Sequence, residues 1–379
     1  MDPNLIYLDN NSTTAVDSKV IEAMLPYFGS LYGNAASSHL FGLSIQEDIE
    51  LATEKLAELI SSSPQEIIYT SGATESVNLA LKGFSGTDKN HIIAVKTEHK
   101  AVLDTCEYLE SLGYIVSYLN VDYNGLIDLN ELKNELTDKT LMVCVMLVNN
   151  ETGIIQPIKE IGEIVHENDS LLFCDATQGV GKIPVDVKDL NIDLMAFSAH
   201  KFHGPKGIGA LYISSKLKKK LHPQIQGGGQ QFNFRSGTLN VPGIIAIGKA
   251  AELAMKEMND NTVRIGKLRD ELENSLLEIP EVYRNGNQAE RIYNTTNICF
   301  RNVNSEQMIL ALGTVCVSNG SACNATISKP SHVLKAMGLN DSEALSSIRF
   351  SLSKYNSKSD IEIAIEKIKN IVENLRANQ

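Results

Sequence analysis

The sequence predicts an α/β chain, with a mainly parallel β-sheet covered by helices on both faces and a smaller α+β domain after it. Three observations carry this expectation. Apolar runs of strand length alternate with helix-patterned segments through the first two-thirds of the chain. The strand-like runs are apolar along their whole length, as strands covered on both faces are. The pattern then changes after about residue 256, where a long helical stretch gives way to short strands and helices. We therefore expect a large domain over 15–256 and a small one formed by 1–14 together with 257–379.

In order, the strand "EIIYTSG" leads into the helix "ATESVNLALKGF", and "HIIAVKT" leads into "EHKAVLDTCEYLESLG". The strand "IVSYLNVD" follows, then "TLMVCVMLVNN" with the helix "IKEIGEIVHEND". After these come "LLFCDAT" and the segment "DLMAFSAHKFHGPKGIGALYIS", in which Gly and Pro break one apolar run from the next. The last third reads as the helix "NTVRIGKLRDELENSLLEI", the strands "NTTNICF" and "TVCVS", and the helices "SHVLKAMG" and "IEIAIEKIKNIVENLRAN". In open α/β sheets, ligands sit beyond the carboxyl ends of the strands, so polar residues just after each strand are the first candidates for chemistry.

With 379 residues, 43% of them hydrophobic, the chain can bury a substantial core. A net charge of −12 disfavours general nucleic-acid binding, yet leaves room for a small anion in a locally positive pocket. The start "MDPNLIYLDNN" shows no signal-peptide pattern, no apolar run has transmembrane length, and the cysteines lack paired spacing. A cytoplasmic protein with no membrane contact is the expectation. Of six cysteines, Cys106, Cys144, Cys174, Cys299 and Cys316 lie in apolar or helical runs and read as small core residues. Cys323, in "SNGSACNATISKPSHVL", has a polar, turn-forming setting that suits a carrier, although an incidental loop thiol would look the same.

Three segments could hold chemistry. In "YTSGATESVNLA" a strand ends at Thr70 and a helix begins near Ala73 and Thr74, which makes an anion site or an ordinary helix cap. In "LLFCDATQGVGK" Asp175 ends an apolar run and Gln178 follows three residues on, facing a ligand or capping a loop. In "MAFSAHKFHGPKGIGALY" Ser198, His200 and Lys201 stand at a strand end, where a desolvated lysine could form a Schiff base. His200 and His203 lack the Glu or Cys of a familiar zinc spacing, and no intrinsic metal is expected. Together, a phosphate cradle, a carboxylate and then a lysine match the needs of pyridoxal phosphate.

The chain resembles the cysteine desulfurases of the IscS/NifS type, a branch of the class-V aminotransferase superfamily. The likeness runs nearly end to end through "YLDNNSTT", "SGATESVNLALKG", "KTEHKAVLDTC", "VNNETG", "DATQGVGK", "SAHKFHGPKGIGALY", "RSGTLN", "SNGSAC" and "SSIRFSL". It implies a fold-type-I pyridoxal-phosphate transferase with a seven-stranded sheet, acting as a homodimer. It further implies that Lys201 binds the cofactor aldehyde, Asp175 its pyridinium nitrogen and Gln178 its phenolate oxygen. His99 stacks on the ring and assists proton transfer. Ala73, Thr74, Ser198 and His200 hold the phosphate, and Thr238 reaches it from the second subunit. Asn150 and Arg349 grip the carboxylate of L-cysteine. Cys323 takes the sulfur as a persulfide and passes it to an acceptor such as an iron–sulfur scaffold or a tRNA-thiolation protein, where it could also be a transient cluster ligand. Asn319, Asn324, Lys329 and Ala199 depart from the usual family residues, which bears on the choice of acceptor. Two alternatives stand beside this reading: an aminotransferase or selenocysteine-lyase-like relative that does not need Cys323, and a cofactor-free redox or sulfur-carrier module.

Overall fold

A computed structural model of the chain describes residues 5–84, 87–286, 290–320 and 329–377. In chain order the strands are β1 (Ile6–Tyr7), β2 (Ile67–Thr70), β3 (His91–Val95), β4 (Ile115–Leu119), β5 (Thr140–Met146), β6 (Leu171–Asp175), β7 (Leu194–Ser198), β8 (Gly209–Ile213), β9 (Val282–Arg284), β10 (Thr295–Phe300), β11 (Val315–Cys316) and β12 (Ser347–Ser351). The helices are α1 (Ser18–Met24), α2 (Leu40–Leu59), α3 (Ala73–Lys82), α4 (Lys100–Ser111), α5 (Leu129–Glu135), α6 (Ile158–Glu167), α7 (Val241–Leu277), α8 (Ser305–Leu312), α9 (His332–Ala336), α10 (Asp341–Leu345) and α11 (Lys358–Ala377).

The main sheet has seven strands in the order β2-β8-β7-β6-β5-β3-β4. Strands β7, β6, β5, β3 and β4 run parallel, and β8 pairs antiparallel with both β2 and β7. This is the mainly parallel sheet expected, with the antiparallel β8 explained by the tight Gly-Pro turn that returns the chain directly after β7. Every residue of β5 is buried, whereas β4 is partly open because it forms the sheet edge. One apolar cluster packs Ile93, Val145, Cys174 and Met195 under α2, α6 and the first half of α7; a second packs Ile92, Cys144, Phe173 and Leu194 under α3 and α4. The alternation of side chains along each strand sends successive residues to these two clusters.

A third cluster joins Ile6 and Leu8 to Leu268, Ile298, Phe350 and Ile368 around the three-stranded sheet β12-β10-β9 and the short parallel pair β1-β11. Helix α7 runs unbroken for 37 residues, buried against the first cluster up to Leu253 and against the third from Ile265. The stretch after residue 256 is thus the second half of one long helix rather than a helix of its own. Cys106, Cys144, Cys174 and Cys299 are buried as core residues; Cys316 is only half-buried, because its two-residue strand lies at the rim.

Candidate functional site

A cavity of about 600 Å³ opens at the carboxyl ends of β3, β5, β6 and β7. Its walls include Ala73, Thr74, His99, Asn150, Asp175, Gln178, Ser198, His200, Lys201 and Arg349, so residues far apart in sequence meet in one place. Thr238 is exposed and does not line this cavity. Cys323 lies outside the described residues, but Ser318 and Gly320, just before it in sequence, line the cavity rim.

Lys201 sits in a single 3-10 turn (Ala199–Lys201) straight after β7. Its Nζ donates to the carbonyls of Asn11 at 2.6 Å and Ser12 at 2.9 Å. Burial, with Arg349 nearby, lowers its pKa to about 8 against the pull of Asp175 and Asp9. Part of the population therefore carries a neutral, nucleophilic amine near neutral pH.

Asp175, the last residue of β6, is 4% exposed and accepts the Thr177 N–H at 3.0 Å. Gln178 Nε2 donates to the Asn11 carbonyl at 2.8 Å, while its Oε1 accepts from Lys182 Nζ at 2.7 Å. Lys182 is buried, and its desolvated ammonium next to Lys201 and Arg349 titrates at about 7.

At the other end of the cavity, α3 begins after Gly72, which offers no side-chain cap. Ser198 Oγ accepts the Ala73 N–H at 2.7 Å, tying β7 to the helix start. Glu75 folds back to accept the Ser71 N–H at 2.7 Å and pairs with Arg235 Nε at 2.9 Å. His200 pairs Nδ1 with Thr13 Oγ1 at 3.2 Å, and burial pushes its pKa down to about 4, so the ring is neutral. His99 caps α4 by accepting the Ala101 N–H on Nδ1 at 3.0 Å, which leaves the proton on Nε2; burial lowers its pKa as well.

Arg349, on β12, is 4% exposed. It donates from Nη1 to the Asn150 carbonyl at 2.9 Å, and from Nη2 to Asp9 Oδ1 at 2.6 Å and Ser12 Oγ at 2.7 Å. The sequence reading missed Asp9, Asn11, Ser12, Thr177 and Lys182. The motifs "YLDNNSTT" and "DATQGVGK" contain them all, but main-chain carbonyls carry no sequence signal and a glycine-flanked lysine reads as surface. Among the described residues, no group of His, Cys, Asp or Glu could hold a metal and no helix is long and apolar enough to cross a membrane.

The profile of the class-V aminotransferases matches residues 6–363. Cysteine desulfurase IscS of Rickettsia felis is 46% identical, across 99% of this chain and 93% of that protein. Among solved structures, a NifS-like protein superposes with a TM-score of 0.92 at 37% identity, covering 98% of this chain and all of the other. SspA in complex with cysteine gives 0.82 at 34% identity, covering 93% of this chain and 100% of that one. The chain therefore belongs to the class-V aminotransferase family, in the group of the IscS- and NifS-type cysteine desulfurases.

Proposed function

We propose that the protein takes sulfur from free L-cysteine, releases L-alanine and leaves a persulfide on Cys323, from which an acceptor protein collects it. The observation that carries this reading is Lys201. Its amine, brought to about 8, faces the same cavity as a buried aspartate and an arginine able to hold a carboxylate.

Enzymes of this family depend on pyridoxal 5′-phosphate, and three features of the cavity suit that group. Thr177 Oγ1 is buried without a partner beside Asp175. Helix α3 has ten residues, and its own N-cap residue, Gly72, supplies no side-chain cap, which leaves room for a phosphate beside Ser198. A Cβ on Gly72 would stand 3.2 Å from Ser198 Oγ and crowd that end of the cavity. When bound, the group supplies an electron sink for the substrate's α-carbon.

The chain's own residues would then divide the work. Ala73, Thr74, Ser198 and His200 hold the phosphate, Asp175 the ring nitrogen and Gln178 the phenolate oxygen. Lys201 would bind the aldehyde carbon, and His99 would face the ring. Arg349 and Asn150 would hold the carboxylate of L-cysteine, which competes with Asp9 for the guanidinium. Once the amine of L-cysteine has replaced it on the aldehyde carbon, the freed Lys201 Nζ would take the α-proton, with His99 in the same pocket. The Cys323 thiolate bonds to the substrate sulfur as the substrate's carbon–sulfur bond breaks. The electron pair left on carbon is protonated, so one cysteine and one enzyme thiol become alanine and one persulfide.

We further propose a homodimer, in which Thr238 reaches the phosphate of the partner subunit's cavity; its exposure and absence from its own cavity support this. The acceptor is a sulfur-carrying protein of the iron–sulfur or tRNA-thiolation class, and the compartment is the cytoplasm. The test is direct. Cofactor-loaded protein given L-cysteine and a reductant is expected to release alanine and sulfide in equal amounts, and the Cys323→Ala variant neither. Undiminished release by that variant overturns the reading.

A further inference from the structure

Glu151 lies in the turn between β5 and α6, one residue beyond Asn150, and is 3% exposed. Its position is fixed by its own backbone. The N–H donates to Asn149 Oδ1 at 2.9 Å, the carbonyl accepts Asn297 Nδ2 at 3.1 Å, and Asn149 Nδ2 is anchored on the Thr97 carbonyl at 3.1 Å. What the carboxylate does is not explained by any role given above.

Its Oε2 accepts the hydroxyl of Ser331 at 2.5 Å. Ser331 is 5% exposed and caps α9 by accepting the Leu334 N–H at 3.2 Å. The same oxygen also lies against Gly320: a Cβ there would fall 2.5 Å from Oε2, and the backbone at Gly320 has φ +80°. Gly320 and Ser331 bracket residues 321–330, which include Cys323. On one side of the thiol-bearing stretch this carboxylate is hydrogen-bonded to Ser331, and on the other it packs closely against Gly320. The neighbouring residue of the same turn offers its carbonyl to Arg349, and Ser318 pairs its N–H and carbonyl with the backbone of Arg349.

We propose that Glu151 is a positioning residue for sulfur transfer: by bonding Ser331 and packing against Gly320 beside the arginine, it sets where the Cys323 thiol can reach. This rests on the reaction proposed above and deepens it. Glu151 does not line the cavity, so removing it should slow the arrival of sulfur on Cys323 and leave substrate binding alone. Burial raises the carboxyl's pKa, against the hydrogen bond from Ser331 and the charges of His332 and Arg349, and the site must hold this group either as an anion or as a neutral acceptor. Glutamine keeps an acceptor oxygen at the same reach, whereas alanine and aspartate do not.

The experiment uses full-length, cofactor-loaded wild type, Glu151→Ala, Glu151→Asp, Glu151→Gln and Ser331→Ala. Two quantities are read after mixing with L-cysteine. One is the change in cofactor absorbance, which reports binding. The other is the rate at which rapidly quenched protein gains about 32 Da, one sulfur, on Cys323. Loss of the buried acceptor for Ser331 predicts a fall of about tenfold or more in the persulfide rate for Glu151→Ala and Glu151→Asp. Glu151→Gln should stay within about threefold of wild type and Ser331→Ala should fall between. The absorbance change should keep its cysteine dependence in all of them. A persulfide rate untouched in Glu151→Asp and Ser331→Ala, or one that falls in step with binding, overturns the proposal. Wild-type protein that gives no absorbance change with cysteine overturns the reaction itself, and the proposal with it.

Discussion

Replacing Lys182 by methionine should stabilise the cofactor-free protein at low pH and destabilise it at high pH. Lys182 is 6% exposed, its hydrogen-bond partner is the Gln178 amide, and burial near Lys201 and Arg349 holds it at about 7, against 10.5 for an ordinary lysine. A base whose folded pKa is depressed binds fewer protons folded than unfolded between those two values, so its contribution to stability rises with pH across that window. Below pH 7 the full penalty applies. At about 1.4 kcal/mol per pH unit it amounts to at most about 5 kcal/mol, and it fades to nearly nothing by pH 10. Methionine has similar length and no charge, and so escapes this penalty. It does, however, leave Gln178 Oε1 without a donor, which costs about 1–3 kcal/mol at every pH. The net effect is a gain of about 2–4 kcal/mol at pH 6, a crossing near pH 9 and a loss above it. Urea denaturation of both proteins at 25 °C from pH 6 to 10 measures this directly. A stability difference that keeps one sign across the range, or that grows in the variant's favour with pH, refutes the burial argument.

The neutral amine of Lys201 is the form that attacks an aldehyde, and its pKa of about 8 means the rate of cofactor capture by the apoprotein should rise through pH 8 and level off by about pH 9.5, as stopped-flow absorbance would record. Asp175→Asn keeps the acceptor for the Thr177 N–H but removes the charge, so cysteine turnover should fall at least about a hundredfold while cofactor is retained on gel filtration. Glu273, bonded to Arg291 at 2.7 Å and Arg284 at 3.0 Å, is held down at about 2 by those guanidiniums despite its burial. Its depressed pKa contributes stability above about pH 4.5 that is lost as pH falls toward 2. Glu273→Gln should thus cost about 3 kcal/mol at pH 7, with the gap to wild type closing at acid pH in denaturation curves.

The parallel sheet was legible because strands buried on both faces leave unbroken apolar runs, as "TLMVCVM" does at the sheet centre. The antiparallel β8 was visible only as a second apolar run after a Gly-Pro turn, since strand direction follows from connection length rather than from composition. The change of pattern after residue 256 corresponds to no break in the chain. Helix α7 simply passes from one core to the next, and helical periodicity does not announce which neighbour a face will meet. At the site, ionisable residues just after strands could be read directly, because Asp175 and Lys201 stand out against apolar runs. Their partners could not, because the two carbonyls on Lys201 belong to residues some 190 positions earlier.

That separation explains how the cavity is held in register. Residues 9–12 follow β1 of the two-stranded sheet, and Asn11 and Ser12 line the cavity. There the Asn11 carbonyl takes a donor from both Lys201 and Gln178, and Asp9 and Ser12 take two from Arg349. The N-terminal segment also carries Ile6 and Leu8 into the third apolar cluster and accepts the Ser351 N–H on the Leu8 carbonyl at 2.8 Å. One short stretch thus fixes Lys201, in the turn after β7 of the main sheet, relative to Arg349 on β12 of the three-stranded sheet. Displacing Asp9 with a substrate carboxylate would break one ion pair of this bridge and leave the Asn11 contacts in place. Binding can therefore loosen the arginine's side of the cavity without disturbing the lysine's. An Asp9→Asn variant, with the competing charge gone, should bind cysteine more tightly and capture the cofactor at an unchanged rate. Equal changes in both would mean that the segment moves as one piece.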